Sequence, residues 1–175
     1  MLPDPLHPAI VHFPVVLAIL VPLAALASFL LVRRAEAIRP AWLAVVLLAG
    51  GLAGSSWLAV ETGEGQEERV EEVISSEAAL SDHEARADQF LAIALVVLAL
   101  MVVGLAPGRT GKLGRTFATV ASLTLVPAGI RVGHSGGELV YVHGAAQAYT
   151  GVRGNVPTTA SREPGERDEA SAGDR

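Results

Sequence analysis

The sequence predicts an all-α fold, a four-helix transmembrane bundle with both termini on the outer side of the membrane. Three observations carry that prediction. The composition is too apolar for a water-soluble domain, with 51% hydrophobic residues and 18% charged residues in a chain of 175. The apolar residues fall into four long runs, Ala9–Val32, Ala41–Val60, Phe90–Ala106 and Phe117–Val132. Each approaches or exceeds the ~17–25 residues of helix that cross a hydrocarbon core, the last two near the lower limit. The third observation is charge placement. Arg33–Pro40 carries Arg33, Arg34 and Arg39, and Pro107–Arg115 carries Arg109, Lys112 and Arg115. These two stretches hold six of the 13 Lys and Arg, against one acid, Glu36. Glu61–Gln89 holds ten acids against Arg69 and Arg86. The positive-inside rule assigns the two basic loops to the cytoplasm and the acidic loop and both termini to the outside. The net charge of −5 therefore belongs to the outer face.

Residues 1–150 are read as a four-span membrane domain with spans about 9–32, 41–60, 90–106 and 117–132 and an outer acidic loop over 61–89. Residues 151–175, rich in Pro, Ser, Glu, Arg and Gly, read as a disordered polar tail. The first span is expected to be retained, because Met1–Pro8 has no basic stretch and the arginines lie on the far side of the run.

In the first span, Pro8 suits a helix start, and Pro14 predicts a kink that frees the Ile10 carbonyl beside His12. The second span carries Gly50-x-x-x-Gly54, a small-residue face that admits a neighbouring helix or a flat cofactor. Trp42 and Trp57, near its two ends, read as interfacial aromatics. In the acidic loop, Gln66–Ser76 reads as a short amphipathic surface helix. Ser81 and Glu84 have capping-box spacing, so the third helix is expected to start there, with His83 in its first turn. In the fourth span Pro127 predicts a bend.

All five histidines, His7, His12, His83, His134 and His143, fall at or beyond the outer ends of the spans. Counting ~1.5 Å per residue from the basic ends puts His12 and His134 both about 30 Å up, with His83 and His7 one to two turns higher. His143 follows the fourth span across a turn-rich stretch. Ionisable, metal-competent side chains at this depth are costly and read as a functional site. Neutral imidazole ligates haem iron and other transition metals. A haem b between His12 and His134 is the first choice, with His83 as substitute ligand, His143 or His7 as supporting partners, and Arg131 pairing with a propionate. A zinc or copper site, or histidines that only hydrogen-bond across the bundle, are the alternatives.

Other chemistries are set aside. There is no cysteine, so disulfides, thiolate metal sites and c-type haem attachment are excluded. No phosphate-loop motif occurs, and the second histidine of H-E-x-x-H is missing after His83-Glu84. Few aromatics and scattered basic residues argue against a nucleic-acid partner. The spans carry no carboxylates, which argues against a proton pump.

The stretch His7-Pro8-Ala9-Ile10-Val11-His12-Phe13-Pro14 resembles the H-P-x-x-V-H-F-P signature of a bacterial four-span membrane family, domain of unknown function 2231. Thr62-Gly63-Glu64, His83-Glu84 and Gly133-His134-Ser135-Gly136-Gly137-Glu138-Leu139-Val140-Tyr141-Val142-His143-Gly144 are similar to later stretches of that family. The resemblance covers about residues 5–150. Relatives fused to cytochrome c or Rieske-type domains imply a setting of membrane electron transfer in a bacterial inner membrane. This chain has no such domain, so its electron-transfer partners would be separate proteins. The function expected is a small b-type-cytochrome-like subunit. The alternatives are a cofactor-free assembly subunit of a larger membrane complex and an outward-facing zinc- or copper-binding protein. Nothing in the sequence resembles an enzyme's nucleophile and base.

Overall fold

The computed structural model describes residues 6–31 and 35–150, and their regular structure is entirely helical. The polar tail, Arg33 and Arg34 lie outside the described residues. Four helices are long and apolar enough to cross a membrane: His7–Leu31, Ile38–Glu64, Glu77–Val103 and Gly108–Tyr141. The first comprises α1 (His7–Ile10) and α2 (His12–Leu31). The second is α3 (Ala35–Glu64), followed by α4 (Glu67–Glu71) in the acidic loop. The third is α5 (Glu77–Val103), and the fourth divides into α6 (Gly108–Ser122) and α7 (Leu125–Tyr141) before a final turn, α8 (Gln147–Thr150). Each span packs on its neighbour in sequence and the first also packs on the fourth, so the four close into a ring. Short connections favour that antiparallel order.

The packing is that of a membrane protein. Small residues fill the interior, with Ala18, Val21, Ala25, Ala49, Ala53 and Ala94 buried. Large apolar side chains such as Leu31, Leu47, Ile130 and Phe117 point outward. In lipid the outward side chains lose nothing by exposure, and small residues let the helix backbones approach.

Two of the expected bends appear where prolines place them. α1 ends at Ile10 and α2 resumes after Val11, as expected when the Pro14 ring displaces the Ile10 carbonyl. α6 ends before Leu123, whose carbonyl would have been the partner of the N–H that Pro127 lacks. Pro22, which carried no expectation, sits inside α2 without ending it.

Several boundaries are corrected. α5 begins at Glu77, capped by the Ser76 side chain accepting from the Ala79 N–H, so Ser81 and His83 lie within the helix and not at its start. The amphipathic segment forms helix only over Glu67–Glu71. The glycines of Gly133–Gly137 do not end the fourth span, because Ser135 and Leu139 are buried and hold α7 helical to Tyr141. The second basic stretch is a turn only as far as Pro107. Gly108, at φ 66°, takes the left-handed turn into α6, and Arg109, Lys112 and Arg115 are helical.

At the basic end, Trp42 is fully buried and not interfacial, and its Nε1 donates to the Met101 carbonyl at 2.8 Å. That carbonyl belongs to the last turn of α5, where no helical N–H follows to satisfy it. Trp57, by contrast, is 53% exposed at the other end of α3, as an interfacial aromatic would be. A Cβ at Gly104 would collide with the Trp42 ring, one at Gly111 with the Ala106 carbonyl, and one at Gly114 would stand 2.8 Å from the Gly104 nitrogen. Arg115 Nη1 donates to the Gly104 carbonyl at 2.6 Å and Arg39 Nη2 to the Leu105 carbonyl at 3.1 Å. The two guanidinia thereby cap the carbonyl end of α5.

Candidate functional site

The opposite end of the bundle gathers the histidines. His7, on the single turn α1, is half-buried against α3. Its Nδ1 lies 2.8 Å from the Ala59 carbonyl and 3.3 Å from Thr62 Oγ1. A carbonyl only accepts, and the Thr62 hydroxyl already donates to the Leu58 carbonyl at 2.7 Å, so Nδ1 carries the proton. His83, on α5, is half-buried against α7 with Nδ1 3.0 Å from Ser135 Oγ. Ser135 donates its one proton to the Val132 carbonyl at 3.0 Å, so it accepts from His83, whose Nδ1 is likewise protonated. In the neutral form each ring therefore presents an Nε2 lone pair, the arrangement in which a carbonyl or hydroxyl holds the far nitrogen of a ligating histidine.

Glycines make room for both rings. A Cβ at Gly63 would stand 3.3 Å from His7 Cε1, and one at Gly136 would stand 3.1 Å from His83 Cε1. The four stretches that carried the family resemblance thus meet two by two, His7 from the first with Thr62-Gly63 from the second, and His83 from the third with Ser135-Gly136 from the fourth.

The other named residues lie apart. His12 is exposed, on the outer side of α2. The His134 side chain is 72% exposed, with Nε2 3.4 Å from Glu138 Oε1 one turn on. Neither of these two faces the bundle interior. His143 ties the chain after α7 to the acidic loop. Its Nδ1 lies 3.2 Å from Ser75 Oγ, and its carbonyl accepts from the Ser75 N–H at 3.2 Å. Arg131 is exposed on α7, beside a groove it shares with Arg86. Of the expected set, the structure seats His7 and His83 between spans, His7 against α3 and His83 against α7. Their supports Ala59, Thr62 and Ser135 went unrecognised in the sequence, although Thr62 and Ser135 stood inside the quoted motifs. Among the described residues no three His, Asp or Glu side chains are grouped as a metal would need.

Above the pair, Leu80, Leu139 and Ala145 form a small separate core with Val70, Ile74 and Ala79. Arg69 lies over the Tyr149 ring at 5.7 Å, and the Tyr149 hydroxyl donates to Gln66 Oε1. The acidic loop is thereby fastened over this end of the bundle.

Fold and site define a class, a four-span helical membrane bundle with two imidazoles oriented by hydrogen bonds at one end. The chain belongs to the family described as predicted membrane protein (DUF2231), whose profile matches residues 3–148. No curated protein and no solved structure matches the chain.

Proposed function

We propose that this protein is a membrane redox subunit that holds haem b through His7 and His83 and exchanges electrons with separate proteins at that face of the membrane. The observation that carries the proposal is the pair of imidazoles whose Nδ1 protons are taken by Ala59 and Ser135, leaving both Nε2 atoms free to ligate. The donor set suits haem better than a bare ion. Haem iron brings four nitrogens of its own and needs two more ligands, whereas zinc asks for three or four from the protein. When bound, the haem supplies one-electron chemistry at its iron. The chain's part is to fix the two rings, through α3 on one side and α7 on the other, and to seat them against glycines.

The proposed location is a bacterial inner membrane with both termini and the histidine end outside. The charge asymmetry supports it: the basic residues stand at one end of the bundle and the acidic loop at the other.

Detergent-purified protein from haem-sufficient cells is expected to show a Soret band and sharp reduced α and β bands at about one iron per chain. His7→Ala and His83→Ala should each abolish the low-spin spectrum, while His12→Ala and His134→Ala keep it. Retention of the spectrum in both of the first two variants rejects the assignment.

A second reading rests on the same hydrogen bonds. His7 ties α1 to α3, His83 ties α5 to α7, and His143 ties the acidic loop to the chain after α7. In a cofactor-free assembly subunit these are cross-links, and asparagine or glutamine at all three positions would preserve assembly into the partner complex. A zinc or copper site would give stoichiometric metal without a Soret band.

A further inference from the structure

Between α5 and the break that separates α6 from α7 runs a groove with two unlike halves. Its mouth, a cavity of about 240 Å³, is lined by Arg86, Gln89, Ile93, Thr124, Ala128 and Arg131. A second cavity of about 300 Å³ continues it and shares Gln89, Ile93 and Thr124. Its remaining walls are the apolar side chains Ala92, Val96, Val97 and Ala121. The groove lies beside the break between α6 and α7, with Thr124 at the break and Pro127 in its wall.

The mouth is cationic. Arg131 makes no hydrogen bond or ion pair with any described residue, although it stands within a span. Arg86 binds Asp82 at 2.7 Å through one nitrogen, which leaves most of its five N–H donors available. The Gln89 amide also has no hydrogen-bond partner among the described residues. An exposed guanidinium without a protein partner, at the outer edge of a span, is suited to an anion. Two guanidinia flanking one opening match a phosphate or carboxylate group. The apolar continuation, open to the lipid side, matches a hydrocarbon tail.

We propose that this groove is a binding site for one anionic lipid, its headgroup held between Arg86 and Arg131 with Gln89 donating, and one acyl chain lying along Ile93, Val96 and Ala121. The site adjoins His83, one turn from Arg86, but is lined by neither His7 nor His83 and stands whether or not a haem is bound by them.

The test uses full-length protein in neutral detergent, titrated with phosphatidylglycerol, phosphatidylcholine of the same chains, and inorganic phosphate, with bound molecules counted by native mass spectrometry. Phosphatidylglycerol should bind at one per chain, at least tenfold tighter than phosphatidylcholine. Arg131→Gln and Arg86→Gln should each remove most of that preference, whereas Arg109→Gln at the other end of the bundle should not. Ala92→Trp, which fills the apolar half, should weaken the lipid whatever its headgroup. Equal retention of the two lipids, or an unchanged preference in both arginine variants, overturns the proposal. Displacement of the lipid by millimolar phosphate overturns the role given to the acyl groove.

Discussion

The two ends of this bundle are built on different principles. At the basic end, backbone meets backbone: Gly114 lies against Gly104, Gly111 against Ala106, and Trp42 fills the remaining space while donating to Met101. At the histidine end the spans are joined through side chains, imidazole to carbonyl or hydroxyl, under a loop held by a three-residue core. A contact between backbones tolerates no substitution of a glycine, whereas a contact between polar side chains can be exchanged for a ligand. The first end is therefore committed to holding the fold, and the second is free to be used.

Mutations can break or sharpen that contrast. The largest effect is expected from Gly111→Val, whose side chain would have to displace the Ala106 carbonyl. A loss of ~3 kcal/mol or more, read by thermal unfolding in detergent, fits an overpacked helix contact. Trp42→Phe should follow at about 1–3 kcal/mol, because the Met101 carbonyl stays buried without its donor. Arg115→Ala should cost about 1–2 kcal/mol by removing the charge-assisted bond to Gly104. At the other end, His7→Asn should lower stability by only about 1 kcal/mol, the ordinary net value of one hydrogen bond. If His7→Asn proved as damaging as Gly111→Val, the contrast would collapse and the histidines would be structural. The smallest effect belongs to Gly50→Ala and Gly54→Ala. An added Cβ meets nothing within 4 Å at either position, so unfolding of the monomer should be neutral or gain up to about 1 kcal/mol. A marked loss there would mean that a partner helix covers this face.

The fold class was legible in the sequence because length and hydropathy suffice to mark a span, and lipid leaves a helix few alternatives. The bends at Pro14 and Pro127 were legible for a local reason, since proline removes one N–H at a known offset. The start of α5 was misplaced because Ser76 and Ser81 both stand at plausible caps, and the choice depends on Leu80 packing with Leu139 across 59 residues. Trp42 was misread for a similar reason: nothing near it in sequence announces the freed carbonyls at the end of α5. The site was legible as a cluster of histidines but not as a pairing. Height along a span can be counted from its end, whereas the direction a ring faces depends on helix rotation. Counting placed His12 and His134 level; rotation turned both outward and left His7 and His83 facing their supports.

The fourth span bears on how the protein is made. α6 buries Gly111, Gly114, Thr119 and Ser122 against its neighbours, which makes it the least apolar of the segments that must enter the membrane. Alone before a translocon, such a segment has little reason to leave water. Its insertion then depends on α5 having gone in first and waiting with a matching surface. Biogenesis acquires an order from this, with the last hairpin entering as a unit. A chain truncated before α5 and rejoined to α6 should leave that segment accessible to a water-soluble thiol reagent at an engineered cysteine, while the intact chain protects it.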